Sequence, residues 1–161
     1  TVVVGINSGL WEPGYYIYGP QSEWREIQEW ARVNTPINTM VIAPPHIFDQ
    51  YTPDWRVFSE RSAVVTIPEM MEIPFDPSFS ESFQRRFRAV APGAIPQFNG
   101  SWEHAFDVTA SAFYSNSKSD FIDLACQFSA DFLVVEKAHP YDLKVLYEND
   151  GFIMYELPSC P

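Results

Sequence analysis

The stretch EWARVNTPINTMVIAPP, which runs from Glu29 to Pro45, predicts a helix that ends and a strand that begins. Within Asn34-Thr35-Pro36, the asparagine favours the left-handed conformation that closes many helices. The proline holds the threonine extended and prevents the helix from resuming. Met40 to Ala43 is then a short apolar run of the kind that forms a buried strand, and Pro44-Pro45 ends it. The stretch therefore predicts a helix, a tight junction and a strand in direct succession.

The residues before this junction predict a helix from about Glu23 to Val33. Ser22 offers an N-cap oxygen, and acidic residues in the first turn favour the positive end of a helix. Four apolar residues fall on one face at helical spacing: Trp24, Ile27, Trp30 and Ala31. We therefore expect this helix to bury one face. Before it, Thr1 to Ile6 could be a strand or the end of a linker, and Trp11 to Pro20 predicts a turn-rich aromatic loop.

Helix and strand signals alternate along the rest of the chain. Ser78 and Glu81 have the spacing of a capping box, which predicts a helix that runs to Val90, and Asp150-Gly151 predicts a hairpin turn. Further strands are predicted at Ser62 to Ile67, Asp131 to Lys137, Lys144 to Tyr147 and Phe152 to Leu157. Further helical signals lie at Asp120 to Phe128 and around Glu103 to Tyr114, and His46 to Arg61 predicts a loop with at most one helical turn.

These signals predict an α/β fold. We expect a three-layer-like sandwich with a short mixed, mainly parallel sheet, flanking helices and a C-terminal β-hairpin. The 161 residues fit a single domain, with residues 1–21 as an N-terminal arm and aromatic loop and residues 22–157 as the core.

The charge of the chain argues against two classes of partner. Twenty-one acidic residues against ten Lys and Arg give a formal charge of -11. Because nucleic acids and anionic membrane surfaces are themselves negative, neither is an expected partner. The chain also has no apolar run of about 18 residues that would insert into a membrane.

Common catalytic and cofactor motifs are missing. His46, His104 and His139 are far apart in sequence and form no HxxxH or HExxH pattern, so no metal site is predicted. No glycine-rich phosphate loop and no nucleophile elbow is present, so the sequence predicts no cofactor. Cys126 and Cys160 have no CxxC or histidine partner, which argues against a catalytic thiol, but they could pair if the C-terminal tail folds back over the helix that carries Cys126.

Candidate binding residues follow from the predicted sheet. Ligands of α/β proteins prefer the crevice beyond the carboxyl ends of the strands, where we expect His46, Arg56, Arg61 and His139. The arginines could hold a phosphate or carboxylate, or Arg61 could pair internally with Glu60 or Asp54. His46 could be a general base or could cap a strand end by hydrogen bonds. Trp11 and the tyrosines after it could stack on sugars or could simply pack over a helix.

The order of several short motifs resembles a known family. The motifs are a helix with Trp24-Arg25-Glu26 and Trp30, the Asn34-Thr35-Pro36 junction, a strand that ends in Pro44-Pro45, the segment Trp55 to Arg61, the strand SAVVTI, the run Ala130 to Val135, and a closing hairpin. This order is similar to the soluble extracytoplasmic domain that follows the membrane helices in bacterial multi-pass proteins of the glycosyltransferase-C-like type. The WWDYG signature of oligosaccharyltransferases is absent.

The resemblance implies a function as part of a larger protein. It implies an extracytoplasmic domain, on the periplasmic or cell-surface side, that is membrane-anchored in the full-length protein. Its partners would be its own membrane-embedded region and a lipid-linked sugar or glycan, and it would be a non-catalytic accessory or substrate-recognition domain. Two alternatives stay open: a small independent enzyme that uses His46 with Arg56 or Arg61 on an anionic substrate, and a carbohydrate-binding module that uses the aromatic loop at Trp11.

Overall fold

A five-stranded mixed sheet forms the centre of the computed structural model, which describes residues 22–48 and 52–160. The strands are β1 (Met40–Ile42), β2 (Ser62–Ala63), β3 (Phe132–Glu136), β4 (Lys144–Glu148) and β5 (Phe152–Glu156), in the spatial order β2-β1-β3-β5-β4. β1 pairs in parallel with β2 and β3, whereas β5 is antiparallel to both β3 and β4. The sheet is thus parallel at one end and closes with an antiparallel hairpin at the other, as predicted.

Helices cover both faces of the sheet, which confirms the predicted α/β sandwich. They are α1 (Glu23–Asn34), α2 (Trp55–Ser59), α3 (Phe79–Val90), α4 (Trp102–Tyr114) and α5 (Lys118–Phe128), and short 3-10 helices occupy Ile67–Glu72 and Ile95–Gln97. On one face, α1 and α2 bury Trp24, Ile27 and Trp55 against the sheet. On the other face, α3, α4 and α5 contribute Phe87, Phe113 and Phe121 to a second core. We call these the α1 face and the α3–α5 face.

The junction after α1 differs in detail from the prediction. Asn34 is the last helical residue and does not adopt a left-handed conformation. The next residue, Thr35, caps the helix with an extended backbone, at φ -123° and ψ 153°. Pro36 accounts for that extended backbone, since a residue before proline avoids the helical region. Asn34 instead donates its side-chain amide to the carbonyl of Trp30 at 2.9 Å, and the Thr35 hydroxyl donates to the carbonyl of Ala31. The Ala31 carbonyl also accepts the backbone N–H of Thr35 at 3.0 Å, so the side chains add donors to the carbonyls of the last turn.

Two further local predictions were wrong. Ser78 precedes α3, but its side chain does not cap the helix; its backbone N–H and hydroxyl both donate to Asp76. A capping box occurs instead at α5, between Ser117 and Asp120. The strand expected at Ser62 to Ile67 is only two residues long, since the chain leaves the sheet after Ala63 and enters a 3-10 helix at Ile67.

The C-terminal tail is tied to the α3–α5 face. Cys126 of α5 and Cys160 form a disulfide, which decides the pairing that the sequence left open. In the described ranges, no helix has the length and apolar character needed to cross a membrane. The predicted strand at Thr1 to Ile6 and the aromatic loop with Trp11 lie outside the described residues.

Candidate functional site

The connections of β1 and β3 leave the sheet on opposite faces. The chain after β1 leads to α2, whose Trp55 belongs to the core of the α1 face. The chain after β3 leads to Tyr141 and Leu143, which pack against the core of the α3–α5 face. Because β1 and β3 are adjacent and parallel, this divergence is a topological switch point, where α/β proteins form a crevice outside the carboxyl ends of the strands. The residues at those two ends are therefore candidates for a binding site.

His46 follows β1 at this switch point. Its Nε2 lies 3.5 Å from the Oε2 of Glu136, the last residue of β3, and its ring packs near Phe113 and Tyr114 of α4. The imidazole side chain is only 13% exposed, and its Nδ1 is buried and finds no hydrogen-bond partner among the described residues. A buried N–H without an acceptor is costly, so this arrangement assigns the ring proton to Nε2, facing the carboxylate. His46 thus pairs with a side chain of the neighbouring strand.

Glu136 is held by two side chains. The Tyr114 hydroxyl accepts a hydrogen bond from the backbone N–H of Glu136 at 3.1 Å, which places it beside the Glu136 carboxylate. The hydrogen bond from His46, followed by that from Tyr114, lowers the pKa of Glu136 below its ordinary value. Burial raises the pKa of Tyr114, so its hydroxyl keeps its proton. The carboxylate is therefore ionised and oriented, and its side chain is still 41% exposed.

His139 completes the group. Its ring stacks on Tyr114, with 3.8 Å between the ring centroids and 14° between the planes, and it is exposed to solvent on the loop after β3. Its backbone N–H donates to the carbonyl of Glu136 at 2.9 Å, which fixes the turn that brings the ring over Tyr114. We call His46, Tyr114, Glu136 and His139 the strand-end cluster. It unites two predicted residues, His46 and His139, that are far apart in sequence.

Arg61 lies at the amino ends of the parallel strands, on the side of the sheet away from the strand-end cluster. It precedes β2, so it is found at the amino ends of the parallel strands, next to the end of α1. Its buried guanidinium donates to the carbonyls of Arg32 and Thr35, and its Nε donates to the Thr35 hydroxyl at 3.0 Å. The prediction that Arg61 lies near the carboxyl ends was wrong, because the residue comes before its strand and not after it. The interpretation that Arg61 pairs internally with Glu60 or Asp54 holds only for the main chain of Glu60, whose carbonyl accepts from Nη1 at 3.2 Å; among the described residues Arg61 forms no ion pair with either carboxylate.

Arg56 lies at the carboxyl end of β2, but its charge is neutralised there. Its Nη2 is 2.9 Å from Asp54 and 2.7 Å from the Thr66 hydroxyl, and its Nη1 is 3.3 Å from Glu69. Glu69 is buried and also pairs with Arg86 at 2.7 Å. A cleft of ≈ 610 Å³ opens beside this network. Because each arginine faces a carboxylate, the network stabilises the turn after β2 and presents no uncompensated positive charge.

Sequence reasoning missed Tyr114 and Glu136. A carboxylate at the end of an apolar strand was a usable signal for Glu136, since strand interiors rarely carry one. Tyr114 gave no such signal, because it is one of several aromatic residues in α4 and only the packing of α4 brings it to β3. Trp11, the remaining predicted site residue, lies outside the described residues.

The strand-end cluster can bind by hydrogen bonding and stacking. Within the described part of the chain, no three His, Cys, Asp or Glu side chains come together as metal ligands. The cluster has one carboxylate on a side chain that is 41% exposed and one exposed imidazole ring. Such a set suits a ligand that offers hydroxyl donors and an apolar face.

Comparison with known proteins adds one similarity. Residues 22–90 match the family described as "Domain of unknown function (DUF6798)". The match spans α1 to α3 with β1 and β2, which is less than half of the chain, and it includes His46 but not Tyr114, Glu136 or His139. No curated protein and no solved structure matches the chain.

Proposed function

We propose that this chain is an extracytoplasmic, non-catalytic substrate-recognition domain of a larger membrane-anchored protein that acts on a lipid-linked sugar or glycan. The observation that carries the extracytoplasmic part is the Cys126–Cys160 disulfide. Both cysteines are exposed, so a reducing cytosol would have access to this bond, whereas an oxidising compartment preserves it. The membrane anchor and the sugar substrate rest on the resemblance of the motif order to glycosyltransferase-C-like proteins.

The contacts of the predicted arginines favour recognition of a neutral substrate over catalysis on an anionic one. Arg61 is occupied by carbonyls at the amino edge of the sheet, and Arg56 is paired with carboxylates. Neither joins His46 in the strand-end cluster, so the alternative of a small enzyme with His46 and an arginine on an anion loses its charged partners. The carbohydrate-binding alternative at Trp11 stays a prediction.

Protease accessibility tests the location. In spheroplasts of cells that make the full-length protein, added protease should remove the domain while a cytoplasmic marker stays intact. Alkylation of free thiols under denaturing conditions should label Cys126 and Cys160 only after reduction. Protection of the domain until the membrane is lysed, together with free thiols, would show that the proposed location is wrong.

A further inference from the structure

We propose that the strand-end cluster is a binding site for a neutral sugar, in which Glu136 accepts hydrogen bonds from sugar hydroxyls and the exposed face of His139 covers the apolar face of the ring. The proposal deepens the proposed function and rests on it for the substrate class. Its first support is position, because the cluster lies at the switch point between β1 and β3, where a ligand is in contact with the ends of both strands.

The geometry of Glu136 supplies the acceptor. A carboxylate has about four acceptor positions, and the His46 Nε2 lies 3.5 Å from one oxygen of Glu136. The Glu136 side chain is 41% exposed, so a ligand can reach the carboxylate from solvent. His46 is largely buried and the main-chain N–H of Glu136 donates to Tyr114, so both neighbours of the carboxylate are in place before any ligand arrives. Such preorganisation lowers the entropy lost on binding.

The His139–Tyr114 stack supplies the platform. The imidazole lies almost parallel to the Tyr114 ring at 3.8 Å, so one of its faces is covered, and His139 is otherwise exposed to solvent. Tyr114 is fixed by the hydrogen bond from the backbone N–H of Glu136, which places the platform beside the carboxylate. A ring face next to an acceptor matches a sugar, which has an apolar C–H face bordered by hydroxyl groups.

The charges around the cluster select against anionic ligands. An anion would face Glu136 and a chain with a formal charge of -11. The stacked ring face of His139 and the acceptor oxygens of Glu136 carry no positive charge that would favour an anion, and both suit a neutral polyol.

An NMR titration of the full chain tests the site. Methyl α-D-glucopyranoside, methyl α-D-mannopyranoside and N-acetylglucosamine are added up to their solubility limits, with glucose 1-phosphate as an anionic comparison. We expect at least one neutral probe to shift the amide signals of residues 136–141 and of Tyr114, and glucose 1-phosphate to bind more weakly. His139→Ala, which changes an exposed side chain, and Glu136→Gln should each weaken binding about tenfold, which corresponds to about 1.4 kcal/mol.

Two control variants make the outcome decisive. His104→Ala removes another histidine, whose Nε2 contacts the carbonyl of Gln97 away from the cluster, and it should bind like the unmodified chain. Trp11→Ala tests the aromatic loop and should also leave binding unchanged.

The site is refuted if no neutral probe shifts the amide signals of the cluster, or if Trp11→Ala abolishes binding while His139→Ala does not. Absence of binding in a domain that proves extracytoplasmic refutes the site alone, whereas sugar binding by a cytoplasmic domain refutes the proposed location alone.

Discussion

Arg61 fastens the end of α1 to the start of β2. Its guanidinium is buried and donates to the carbonyls of Arg32 and Thr35, while its Nε donates to the Thr35 hydroxyl. These carbonyls belong to the helix end and junction, where no further helical turn can satisfy them. A single side chain thereby replaces the hydrogen bonds that Pro36 prevents.

Removal of Arg61 should therefore be strongly destabilising. In Arg61→Ala the buried acceptors lose their donors, and each unsatisfied buried group costs about 1–3 kcal/mol. We expect the free energy of unfolding to fall by about 2–4 kcal/mol in urea denaturation. Arg32→Ala is the matched control, because it removes only the exposed Arg32–Glu60 pair and should change stability by less than about 1 kcal/mol. Equal effects of the two substitutions would show that the buried contacts of Arg61 contribute little.

Glu136 makes stability depend on pH in the acidic range. Its pKa is lowered in the folded protein by the hydrogen bonds from His46 and Tyr114, relative to an ordinary value of 4.5. The unfolded chain therefore binds more protons between these two pKa values, so the contribution of Glu136 is fully present above pH 4.5 and is lost as the pH falls through the folded pKa. Asp76 and Asp120 also have lowered pKa values and add to the same trend.

A comparison of the unmodified chain with Glu136→Gln isolates the contribution of Glu136. Urea denaturation at a series of pH values should show that the stability difference between the two proteins shrinks as the pH falls below 4.5. Asp76 and Asp120 are present in both proteins, so their effects cancel. A difference that is constant with pH would contradict the hydrogen-bonded, ionised Glu136 described above.

At the scale of elements, the disulfide holds the tail after β5 against α5. Cys126 and Cys160 are separated by 34 residues, and the enclosed segment contains β3, β4 and β5. A cross-link that closes a loop of this length reduces the conformational entropy of the unfolded chain, which stabilises the folded protein by about 2–4 kcal/mol. We expect the Cys126→Ala/Cys160→Ala double variant to be less stable by that amount in urea denaturation. Addition of a reductant should lower the stability of the unmodified chain and leave the double variant unchanged, and a response of both proteins would point to a different cause.

The elements themselves were largely predictable, because their signals are local. Ser22 and the apolar residues of α1 lie within a dozen residues of each other, so the helix is signalled by its own sequence. Pro44-Pro45 comes shortly after β1 and signals where that strand stops. One error arose where a neighbour competed for the same group, because Asp76 accepts the hydrogen bonds of Ser78 in place of the expected capping box. Only half of the strand-end cluster could be predicted, because only half of its signals are local. His46 and His139 follow strands and could be expected at one edge, whereas Tyr114 reaches Glu136 only through the packing of α4 on the sheet.

At the scale of the whole molecule, the segment that matches DUF6798 depends on the rest of the chain. Residues 22–90 contribute β1 and β2, but β1 has β3 as its other neighbour, and the β1–β2 ladder has only two residue pairs. Both cores also draw on the C-terminal strands: Val134 and Met154 lie in the core of the α1 face, and Leu133 and Val135 lie in the other. The hairpin after β4 binds the start of α1 as well, since the Asn149 side chain donates to the carbonyl of Glu23 at 2.8 Å.

A fragment of residues 22–90 should therefore not fold by itself. Without β3 and β5, α1 and α3 would expose Ile27 and Phe87, which are fully buried in the intact chain, and a two-stranded sheet is marginally stable at best. We expect the fragment to show no cooperative transition in urea and little dispersion in its amide NMR spectrum, whereas the full chain shows both. Addition of a second fragment, residues 91–161, should restore the dispersed spectrum if the two halves share one core. A cooperative transition of the isolated first fragment would instead mean that residues 22–90 form an independent unit, and the strand-end cluster would then lie at the boundary between two units.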